Sequence, residues 1–167
     1  MEAWLSGPVP GVPPLLQPVA HMLLHTKDDA RVALEGLTPE QVWARPGSGA
    51  SVGYHVRHLI GALDRLLTYA LGGALDQQQM AYLKKEGDPG DPPADAATLV
   101  AEVGAAVARA LELLRETDEA TLLDARAVGR KQLPTTVLGL LAHAGEHSAR
   151  HAGQAITLRK VLSSETE

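Results

Sequence analysis

Residues 137–162 read VLGLLAHAGEHSARHAGQAITLRKVL. Val137, Leu141, Ala144, Ala155 and Leu162 point in one direction on a helical wheel, so the stretch is an amphipathic helix. Inside it, His143, His147 and His151 follow one another at four-residue steps. A helix turns about 100° per residue, so each step drifts about 40°. His147 and His151 are neighbours, about 6 Å apart along the axis, whereas His143 and His151 differ by about 12 Å of rise. Zinc–imidazole bonds are only about 2 Å long, so one ion takes an adjacent pair and not both ends of the row. His151 lies near the centre of the apolar stripe, His147 about 60° off it, and His143 about 100° off it, towards Glu146 and Arg150. The wheel turns His147 and His151 to the interior and leaves His143 at the rim.

Three more long helices are expected before this one. Pro14 suits a first turn, and Leu16, Val19, Leu23, Ala30 and Leu34 recur at helical spacing, so a helix runs over 14–35 with Gly36 as its stop. Thr38-Pro39-Glu40-Gln41 has the pattern of a capped turn. A second long helix starts near Ser51 and ends before Gly72-Gly73. DQQQMAYLKK forms a short accessory helix, and GDPGDPPAD (87–95) is a loop by its Gly, Pro and Asp content. A third long helix follows Asp95 as its cap and reaches about Glu116. Residues 1–13 read as an irregular arm and 163–167 as a frayed tail. No convincing strand is visible. The expectation is an all-α, four-helix bundle with short accessory helices, a single domain over 1–167.

Composition agrees. The chain has 167 residues, 45% of them hydrophobic and 21% charged, which suits one soluble domain. Aromatics are 3% and Phe is absent, so the core must be aliphatic. Net charge is −5 without a basic block, which argues against a nucleic-acid groove. Cysteine is absent, which removes disulfides, thiolate ligands and a cysteine nucleophile. The first residues lack the basic start and apolar run of a secretory signal, and no stretch is long enough for a bilayer. A cytoplasmic protein with no membrane partner is expected.

Two adjacent imidazoles facing an aliphatic core need partners, and a shared metal ion supplies one. The second long helix offers a third ligand in SVGYHVRHL (51–59), where His55 and His58 share a side. Its apolar stripe is flanked more closely by His55 than by His58, so periodicity leans towards His55. Tyr54, His55 and Arg65 line the same side as His58. The pair His21 and His25 on the first helix has no feature aiming it at this site, and partly exposed polar surface is its simpler role. HAGEH matches a known metallopeptidase pattern, but its acidic downstream ligand falls only to Glu165 or Glu167. A di-iron bundle needs Glu-x-x-His, which does not occur. A mononuclear three-histidine site with open positions remains, the arrangement of a catalytic metal.

SVGYHVRHL and HSARHAGQ together resemble the DinB/YfiT-like family of metal-dependent enzymes, over the whole chain in length and helix order. The resemblance implies a divalent metal held by His58, His147 and His151. His58 stands eight residues after Ala50, where many members carry Trp. His55 then becomes a pocket or supporting group alongside Tyr54 and His143. Gln154 or Glu146 is expected to accept an N–H from a ligand, and Gly153 to allow close helix approach. Characterised relatives imply transfer chemistry with a low-molecular-weight thiol such as bacillithiol or mycothiol, acting on a small-molecule electrophile. With no cysteine, the thiol must be a co-substrate. A three-histidine ion equally serves a metal-dependent hydrolase of an amide or ester, and a non-catalytic metal-binding stress protein is the competing class. Zn, Ni or Fe all suit imidazole ligands. The resemblance also implies a homodimer.

Overall fold

A computed structural model describes residues 3–164 of the chain. Met1, Glu2 and residues 165–167, with most of the expected frayed tail, lie outside the described residues. The helices are α1 (Gln17–Leu34), α2 (Pro39–Trp43), α3 (Val52–Ala70), α4 (Gln77–Lys85), α5 (Ala96–Glu116) and α6 (Val137–Ser164). A 3-10 turn over Pro14–Leu16 leads into α1. Ser163 and Ser164, expected to fray, continue α6 instead.

The helix starts follow local chemistry. Ser51 Oγ accepts the Tyr54 N–H at 3.0 Å, and Asp95 Oδ1 accepts the Thr98 N–H at 2.8 Å. Thr38 and Gln41 form a full capping box on α2, and Asp76 and Gln79 form another on α4. Each satisfies N–H groups that a helix start leaves without partners.

Strands are also present, contrary to the sequence expectation. β1 (Ala125–Val128) pairs antiparallel with β2 (Leu133–Thr136), with Ala125 opposite Thr136. Two strands of four residues, one containing Pro134, are too short for period-two alternation to show. The hairpin joins α5 to α6, and Arg126 Nε donates to the Ala70 carbonyl at 2.8 Å, fastening it to the C-terminal end of α3.

The four long helices form a ring in the order α1, α6, α3, α5. The broadest contacts are α3 with α6 and α1 with α6. The core between them is aliphatic, as the lack of Phe requires: Leu23, Leu59, Leu63, Leu99, Leu114 and Leu141 are fully buried. Each such leucine contributes about 2 kcal/mol of transfer free energy. Among the described residues, no helix is long and apolar enough to cross a membrane.

Candidate metal centre

The first half of α3 and the middle of α6 run antiparallel across the broadest interface, which brings His55 and His58 against His151 and His147. His58, His147 and His151 each offer one ring nitrogen, and these nitrogens lie within 4.8 Å of one another. His58 Nε2 and His147 Nε2 are 3.0 Å apart. The His151 ring centroid is 4.5 Å from those of both His58 and His147. All three side chains are half-buried, so they border the interior rather than lie in it. The fully covered positions beside them on α6 are Ser148 and Ala152.

Periodicity leaned towards His55, but His58 joins the trio. His55 sits behind it, with Nδ1 2.9 Å from Nδ1 of His151. Tyr54 stacks on the His58 ring at 5.5 Å with planes 15° apart. His143 is exposed, its ring 5.3 Å from that of His147 and Nδ1 3.5 Å from Glu146. The structure does not bring Gln154 or Gly153 into the site. Gln154 is exposed, and a β-carbon on Gly153 would meet open space. Glu146 supports no imidazole of the trio and is bound instead by Arg150 at 3.0 and 3.1 Å. His21 bonds the Gly7 carbonyl, and His25 lies 3.5 Å from Asp29, both outside the trio.

Sequence reasoning missed Glu86. It follows α4 as its C-cap and is only 3% exposed. His58 Nδ1 donates to Glu86 Oε2 at 2.7 Å, and Arg65 Nη1 donates to Oε1 at 2.7 Å. Arg65, on the same side of α3 as His58, is thus paired with a carboxylate of the chain itself. The local signal was weak: one glutamate in KKEG, at the end of a polar helix.

Burial holds His151 down at a pKa of about 3 and His147 at about 4, with His58 the next cause for each. Burial also lowers His55. His147 and His151 are thus uncharged at neutral pH, the form that binds metal. A carboxylate can only accept, so Nδ1 of His58 carries a proton towards Glu86 and Nε2 is the nitrogen that faces His147. The donor set suits a divalent ion of the borderline metals: three imidazoles, one oriented by a carboxylate on its far nitrogen.

A cavity of about 810 Å³ lies elsewhere, where the C-terminal end of α3 meets the hairpin. Tyr69, Met80, Arg126 and Arg130 line it, and no histidine borders it.

Among known proteins, the family model described as DinB superfamily matches residues 22–155. No curated protein matches the chain. Among solved structures, the chain is similar to the crystal structure titled "conserved protein of locus from Enterococcus faecalis", with 18% identity and a TM-score of 0.71. That likeness covers 89% of this chain and 97% of the other, and at such identity it speaks for the fold alone.

Proposed function

The chain belongs to the DinB superfamily, and on that premise we propose that it is a metal-dependent enzyme. In this proposal His58, His147 and His151 hold one divalent ion, and the reaction transfers a small thiol to an electrophile. The convergence of three imidazole nitrogens within 4.8 Å carries the proposal. A divalent ion on neutral ligands keeps its full charge, acidifies a coordinated thiol and polarises an electrophile.

The chain's own groups have definite tasks. His58 keeps its proton on Nδ1, towards Glu86. His147 Nδ1 now faces Arg150 Nη2 at 3.0 Å, which requires its proton on Nε2. To coordinate through Nε2, His147 must move that proton to Nδ1 and release Arg150. Arg150 then retains Glu146, to which it is already bonded. Arg150 and exposed His143 stand at the rim, where they meet an incoming anionic group.

Metal-dependent hydrolysis is the second reading. Glu86 and Glu146 are each held by an arginine, so a hydrolase built here would rest on hydroxide supplied by the ion, or on His143 as base, rather than on a free carboxylate.

The test is elemental analysis with thiol-conjugation assays on wild type and His58→Ala. Near-stoichiometric divalent metal and conjugation in wild type are expected, both lost in His58→Ala while its circular dichroism stays helical. A chain that takes up no divalent metal on reconstitution overturns the proposal. Metal uptake without turnover, with His58→Ala unfolded, assigns the ion a structural role.

A further inference from the structure

α4 is attached to the bundle in an unusual way. It has no fully buried side chain of its own. Beside the half-buried Tyr82 ring, which packs against the core, its attachment is polar: Gln79 Nε2 donates to Asp64 Oδ2 at 2.6 Å and to Thr68 Oγ1 at 2.7 Å on α3. The buried residue of this segment is Glu86, at the point where α4 ends. Just beyond it, the Asp88 carbonyl accepts from Arg57, and Gly87 passes over the Tyr54 ring. Residues 86–88 thus clasp α3 around His58.

α3 is notched to receive the clasp. Glycine in a helix interior costs about 1 kcal/mol relative to alanine, yet α3 has Gly61 one turn beyond His58. A β-carbon there would stand 2.5 Å from Glu86 Oε1, 2.7 Å from Arg65 Nη1 and 2.7 Å from the Tyr82 ring. The missing side chain is the space in which the carboxylate meets both partners.

We propose that Glu86 is a positioning residue for the metal centre, and that through it metal binding and docking of α4 reinforce each other; this rests on the three-histidine metal site proposed above. An imidazole bound to a cation through Nε2 becomes a stronger donor at Nδ1, and Glu86 is the acceptor. Coupling of this kind is reciprocal: the factor by which docked α4 tightens metal binding is the factor by which metal holds α4 docked. Removing such an outer partner lowers metal affinity about 10–100-fold.

The test uses the full chain with Zn(II) alone, measuring affinity by chelator competition and hydrogen–deuterium exchange over residues 77–86. In wild type, Zn(II) is expected to slow exchange in 77–86 by about the same 10–100-fold, with α5 as the internal reference. Glu86→Gln, which keeps the shape and an acceptor oxygen but loses the charge, is expected to bind Zn(II) about 10–100-fold more weakly and to lose the slowing. Its Co(II) derivative should show displaced d–d bands, which a packing role alone would not move. If Glu86→Gln does not fold, Gly61→Ala displaces the carboxylate from the other side and provides the same comparison. Unchanged Zn(II) affinity in these variants, or exchange in 77–86 indifferent to bound Zn(II), overturns the role of Glu86 and leaves the metal site standing. Wild type that binds no Zn(II), like His58→Ala, overturns both.

Discussion

His151 and His55 meet through their Nδ1 atoms, 2.9 Å apart, across the interface of α3 and α6. The contact occupies one nitrogen of His151 and leaves Nε2 for a ligand. Replacing His55 therefore removes an orienting group and spares the three proposed donors. His55→Ala is expected to weaken Zn(II) binding about 10–100-fold, whereas His151→Ala loses the tight site. Chelator competition reads both, and wild-type affinity in His55→Ala would sink the assignment.

Acid is expected to loosen the metal-free fold. His147 at about 4 and His151 at about 3 sit below the 6.5 of an ordinary imidazole, chiefly through burial. As pH falls below about 6.5, the unfolded chain takes up protons that the folded chain refuses. Stability from these groups is thus fully present above about 6.5 and lost as pH falls towards about 3, with no further slope beneath. Urea midpoints at pH 7, 5 and 4 should fall more steeply for wild type than for a His147→Asn/His151→Asn double variant. Equal slopes would contradict the burial of these rings.

A second glycine of α3 is also spatially determined. The Trp43 indole lies on Gly53, where a β-carbon would stand 2.9 Å from three ring carbons. The ring is held by its Nε1 donation to the Ala94 carbonyl at 2.8 Å and by Arg57 above it at 4.7 Å. Alanine normally favours a helix over glycine by about 1 kcal/mol, but overpacking costs about 1–3. Gly53→Ala is expected to destabilise by a net of up to about 2 kcal/mol, read from urea unfolding. A more stable variant would mean that the indole moves freely.

The opposite sign is expected at Ser148. This side chain is 1% exposed, and among the described residues no partner bonds its Oγ. A buried hydroxyl without a partner costs about 1–3 kcal/mol. Ser148→Ala should raise stability by about 1 kcal/mol, and a loss in calorimetry would reveal a bond to solvent.

What the sequence disclosed was whatever leaves a local mark. Ser51, Asp95 and the Thr38/Gln41 pair act within three residues, and each caps where expected. Helical drift separated His143 from its two neighbours, because rise and rotation are fixed by the backbone. The meeting of His58 with Glu86 spans 28 residues and leaves no periodicity, so one glutamate after a polar helix was invisible as a partner. The same blindness gave Gln154 and Gly153 tasks on their nearness in sequence, although Gln154 is exposed and Gly153 borders open space. The choice between His55 and His58 needed the opposing helix, since both flank the same apolar stripe.

His58 and His147 stand 89 residues apart in the chain. An ion shared by them would tie a loop comprising more than half the protein, including α4, α5 and the hairpin. In that respect it acts as a cross-link, restricting the unfolded chain as well as holding the folded one. A chelator would then affect this bundle as a reductant affects a disulfide-bonded domain.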